Sequence, residues 1–64
     1  MYFVFYKTND VFAAEEKLQG EGIPTEVMPT PVQDKAYCGV CIEVEDTNLE
    51  RAKLVLAGMD YQLV

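Results

Sequence analysis

The chain has 64 residues, half of them hydrophobic and a quarter charged, and its eleven acidic and five basic side chains give a formal net charge of −6. A chain this short buries only about 60% of the surface its unfolded form exposes, so residues 1–64 are expected to form one small globular domain. The acidic balance and the lack of any basic cluster exclude nucleic acid and anionic membrane as partners, and the longest apolar run, Met1 to Tyr6, falls far short of the roughly 20 residues of a membrane span.

Tyr2-Phe3-Val4-Phe5-Tyr6 is aromatic and β-branched throughout, which predicts a first strand. Phe3 and Phe5 are expected to face a helix layer, with Tyr2, Val4 and Tyr6 on the other side. Thr8-Asn9-Asp10 offers N-cap oxygens for a helix running to about Gln19, with Val11, Ala14 and Leu18 at helical spacing. Gly20 and Gly22 mark its end, and Pro24 prevents continuation.

A second strand is expected over about Thr25–Met28, followed by the breaker-rich loop Pro29–Lys35. The third strand, Gly39–Glu45, alternates between Val40, Ile42 and Val44 on one face and Cys41, Glu43 and Glu45 on the other. Thr47 and Glu50 match a capping box that opens a second helix, with Leu49, Ala52, Val55 and Leu56 as its apolar stripe and Gly58 as its stop. Tyr61–Val64 closes the series as a short strand. The order β-α-β-β-α-β predicts an α+β, ferredoxin-like fold: a four-stranded antiparallel sheet with two helices on one face and the other face open.

Chemistry concentrates in Ala36-Tyr37-Cys38-Gly39-Val40-Cys41, because the chain has no other cysteine and no histidine. With no export signal visible at the start of the sequence, a cytoplasmic, reducing setting is expected. There a C-x-x-C pair reads as redox-active, metal-binding or sulfur-handling. Cys41 alternates with the helix-facing residues, and Cys38 stands one step before the strand, so neither is expected to pack in the helix-covered core. The structural alternative is a pair of small buried residues, since free cysteine is often buried.

Structural zinc needs about four ligands and one chain offers two thiols, so zinc would require a dimer pooling them. A redox pair draws its low thiol pKa from a helix N-terminus, whereas this pair leads into a strand among acidic residues, with only Lys35 close by to offset them. A carrier thiol needs less: exposure and an approach route, without a general base of its own. Gly39 lets a ligand or a second backbone come close to the sulfur.

Gly20-Glu21-Gly22-Ile23-Pro24, Met28-Pro29-Thr30-Pro31 and Cys38-Gly39-Val40, in this order and spacing, resemble a family of short bacterial proteins described as selenium/sulfur carrier-like. The resemblance spans nearly the whole chain. It implies that Cys38 is the carrier position, that Gly39 is its partner, and that Pro29 and Pro31 shape the approach. The chain departs from the family in carrying Ala36-Tyr37 before the Cys-Gly, where small serine-like residues are usual, and Cys41 where an apolar or small residue is usual. Tyr37 is then expected to narrow access to the sulfur. Cys41 reads either as a resolving thiol or as a small apolar substitute.

The leading expectation is a non-catalytic carrier that holds sulfur or selenium on Cys38, with a donor such as a cysteine desulfurase and no cofactor or resident metal. The alternative is a small dimeric ligand-binding or regulatory module in which both cysteines are incidental. Tyr2, Tyr6, Met28 and Tyr61 are expected on the open sheet face, lining a pocket or, more readily, a homo-oligomer surface. The acidic run Glu43, Glu45, Asp46 and Glu50 is read as a solvated face.

Overall fold

The computed structural model describes residues 1–31 and 36–64, so the Val32–Lys35 part of the expected loop, and Lys35 as a neighbour of the cysteines, lie outside the described residues. The elements are β1 (Tyr2–Phe5), α1 (Thr8–Gly20), β2 (Glu26–Pro29), β3 (Val40–Glu43), α2 (Leu49–Val55) and β4 (Tyr61–Leu63), with a 3-10 turn at Asp46–Asn48 before α2. The strands form an antiparallel sheet in the order β2-β3-β1-β4, as the ferredoxin-like reading requires.

The core is the covered side of this sheet. Phe3 and Phe5 of β1 and Ile42 of β3, followed by Val44, pack with Val11, Ala14 and Leu18 of α1 and with Ala52 and Leu56 at α2, all at most 1% exposed. The period-2 pattern of the strands and the helical spacing of α1 thus converge on one set of buried side chains. Tyr61 also joins this side, its ring 4.9 Å from that of Phe3 and 6.1 Å from that of Phe5. Its expected place on the open face is therefore corrected: the pairing Phe5↔Tyr61 gives it the same face as Phe5.

α1 ends where glycine allows it. Gly22 has φ +73°, its N–H donates to Gln19 O at 3.0 Å, and the Ile23 N–H donates to Leu18 O at 3.0 Å. That double bond pattern is the Schellman motif, and the buried pair Leu18 and Ile23 supplies its usual apolar contact.

The expected N-terminal caps do not form. Lys7, not Thr8 to Asp10, occupies the N-cap of α1 and makes no side-chain cap bond, because the helix starts at Thr8 and takes all three residues into its first turn. Thr47 falls inside the 3-10 turn, and α2 begins from Asn48 without a side-chain cap. The box is displaced by the tighter turn, which leaves Glu50 to pair with Lys53 at 3.8 Å.

Gly22→Ala would place a Cβ in open space, so its cost is the left-handed backbone alone. It is expected to destabilise the fold by about 1 kcal/mol, read as a lower denaturation midpoint with an unchanged m value.

Candidate functional site

The site forms where β3 meets two neighbours in different registers. Toward β2 the ladder runs on past Pro29↔Val40, since the Thr30 N–H donates to Gly39 O at 3.1 Å. Toward β1 the pairs Tyr2↔Glu43, Phe3↔Ile42 and Val4↔Cys41 place Val40 next opposite Phe5. Instead the Cys38 N–H takes Phe5 O, at 2.9 Å. Two extra residues are therefore accommodated on the β1 side around Gly39, a bulge of the kind that re-aims side chains at strand ends.

Cys38 is half-buried and packs against the helix-side core. The expectation that it lies away from that core is corrected: the even-numbered face of Val44, Ile42 and Val40 simply continues back to it. Its backbone is held on both sides, by Phe5 O at the N–H and by the Thr30 hydroxyl, which donates to Cys38 O at 2.9 Å. Its thiol donates to Val40 O at 3.0 Å.

Gly39 is exposed, its φ is not positive, and nothing lies within 4 Å of where a Cβ would stand. No backbone strain calls for glycine here; what it leaves is clear space on its own Cβ side, which by alternation is the face of Cys41. The Tyr37 ring packs against that of Tyr6, tilted by 31° with centroids 5.2 Å apart, and Gln62 Nε2 donates to the Tyr6 hydroxyl at 3.3 Å. Pro29 closes β2 and is exposed, as is Pro31.

Cys41 is 0% exposed, although it lies on the face without helices. The register explains this: Cys41 stands between Met28 and Val4 in one row of the sheet, and Val4 is equally buried. Its sulfur points to Pro29 O at 3.6 Å. Burial pushes the Cys41 thiol up, nearby Cys38 and Glu43 push the same way, and the Thr30 hydroxyl pulls it back. The two thiols thus occupy opposite faces of the sheet, and both are free.

Thr30 escaped the sequence reading as a site residue, although its place between Pro29 and Pro31 is the signal that points to it. Tyr6 was read only as part of the open face.

The opposite end of β2 and β3 holds a cavity of about 500 Å³, lined by Met1, Thr25, Glu26, Glu43, Glu45 and Asp46 among others. The carboxylate of Glu43 there pushes the Tyr2 phenol up, with burial adding to it. Among the described residues no group of three or more Cys, Asp or Glu side chains is placed to hold a metal ion. Nor is any helix among them long and apolar enough to cross a membrane.

A family model described as "Putative Se/S carrier protein-like" matches residues 1–63. The chain belongs to that family. Among curated proteins and among solved structures, none matches it.

A folded state that prefers the protonated Cys41 thiol keeps that stability in full below the unfolded thiol range and loses it as pH rises through the raised folded value. Between about pH 8 and pH 10 the wild-type midpoint is therefore expected to fall more steeply than that of Cys41→Ala. In native protein at neutral pH, iodoacetamide should modify Cys38 at least about tenfold faster than Cys41, as peptide mapping would show.

Proposed function

We propose that this protein carries a sulfur or selenium atom on Cys38 between a donor and an acceptor enzyme. Family membership supports transfer as the general role, and the observation that favours Cys38 is its partial exposure, against a fully buried Cys41. A cysteine desulfurase is the donor class that fits, because it presents the atom as an enzyme persulfide.

The transfer is a displacement at sulfur. The Cys38 thiolate attacks the outer sulfur of the donor persulfide, a new S–S bond forms, and the donor's own S–S bond breaks. Its electron pair leaves with the donor thiolate, and the outer sulfur keeps its proton. A thiolate cannot donate to Val40 O, so the contact at 3.0 Å is given up when Sγ reacts. The chain supplies position and exposure, and the partners supply the activation.

A second reading, a small ligand-binding or regulatory module with incidental cysteines, draws on the cavity near Glu26 and Glu43. Thermal shift against small metabolites separates the two, since a response unchanged in Cys38→Ser belongs to the cavity. The carrier reading also includes a homo-oligomer closed across the open sheet face. Glu26 and Glu43 pair on that face, so light scattering should find the oligomer strengthened by added salt.

Intact mass after incubation with a desulfurase and cysteine is expected to show one added sulfur on wild type and none on Cys38→Ser. Equal loading of both sinks the assignment. Gly39→Ala should fold normally, within about 0.5 kcal/mol of wild type, as its denaturation midpoint would show.

A further inference from the structure

We infer that Thr30 is a positioning residue whose hydroxyl latches the Cys38–Gly39 backbone and so keeps the two thiols on opposite faces of the sheet. The inference deepens the carrier reading, and rests on it only for what the positioned thiol is used for.

Three bonds define the latch. The Thr30 hydroxyl donates to Cys38 O at 2.9 Å, the Thr30 N–H donates to Gly39 O at 3.1 Å, and the Cys38 N–H donates to Phe5 O at 2.9 Å. Of these, only the first is a side-chain bond, so it is the one whose identity the sequence selects at this position. The peptide it grips joins Cys38 to Gly39, the residue with clear space on its Cβ side. With the peptides on both sides of Cys38 held, its Cα–Cβ bond keeps one direction, and bringing Sγ round to the face of Cys41 requires that hold to be released. A disulfide cannot form otherwise, because side chains on opposite faces point apart.

The same hydroxyl also pulls the Cys41 thiol down against the push of burial, so it favours the ionised sulfur. A hydroxyl has one proton to give. Held on Cys38 O, it keeps the Cys38–Gly39 peptide in place while Cys41 is neutral. Drawn to a Cys41 thiolate, it releases the Cys38 carbonyl at the moment a nucleophile becomes available on the other face. With Cys38 loaded, Cys41 attack on the inner sulfur then forms the Cys38–Cys41 disulfide and expels hydrosulfide. The S–S bond of the persulfide breaks, its outer sulfur leaves as the reduced species, and the two protein sulfurs are oxidised together. Thr30 would in this way set how long the atom stays bound before internal discharge.

The test needs no sulfur donor. The reduced full chain is mixed with glutathione disulfide, which oxidises Cys38 and Cys41 to a disulfide and leaves as two glutathione thiols. Formation of the internal bond is followed by mass spectrometry. Thr30→Val keeps the β-branched shape and loses the hydroxyl, and it is expected to close the disulfide about fivefold faster, the factor a net hydrogen bond is worth. Thr30→Ser should stay at the wild-type rate. Amide hydrogen exchange of Thr30→Val should rise at Cys38 and Gly39 while the core strands stay protected.

Equal rates in wild type and Thr30→Val overturn the latch. So does a Thr30→Ser rate as high as that of Thr30→Val, or exchange that rises throughout the fold, which would mark a general structural role. Because the oxidant is a small disulfide, failure of enzymatic sulfur loading on Cys38 would count against the carrier reading and leave this result standing.

Discussion

Two backbone registers meet along β3, and both are regular only as far as Cys41. On the β2 side the ladder continues through Thr30 and Gly39, and on the β1 side the Cys38 N–H reaches Phe5 O, two residues out of step. β1 ends at Phe5, and Lys7, which a regular continuation would set opposite Cys38, already serves as the N-cap of α1. The bulge resolves that conflict. It also fixes where each thiol goes, one against the helix-side core and the other in the row of Met28 and Val4.

The buried pair Val4 and Cys41 shows how the helix-free face is finished. Small side chains sit at the centre of the sheet, and larger ones, Tyr2, Tyr6 and Met28, stand at neighbouring positions on the same face. Position alone does not make a sulfur accessible. Cys41 belongs to a regular, uncovered strand and is shut off, whereas Cys38 packs on the core and keeps partial exposure because it lies at an end where the chain bends.

Much of this was legible in the residues. Alternation in β1 and β3, the helical spacing of Val11, Ala14 and Leu18, and the glycines at positions 22 and 58 suffice for the element order and for most of the core. Local capping signals fared worse, because Thr47 was recruited into a 3-10 turn and Thr8 into the helix itself. Those outcomes depend on how the chain enters each helix from a strand, which tertiary packing decides. Tyr61 was misplaced for a similar reason: the face of a short terminal strand is set by its pairing partner, not by its own pattern. The Cys-Gly stretch was recognised as the place to look, but the face of Cys38 and the part played by Thr30 depend on a register shift that no single strand announces.

Pro29 has a further effect on the outer rim of the sheet. Its pairing with Val40 falls between the hydrogen-bonded rungs, so its nitrogen points away from β3, toward the free side of β2. A proline there removes one of the few donors an incoming chain would need for sheet extension. β4 at the opposite margin, Tyr61–Leu63, contains no such block. Accretion of foreign strands is accordingly discouraged at one border of the molecule and left open at the other, which makes this small protein lopsided in how it can aggregate.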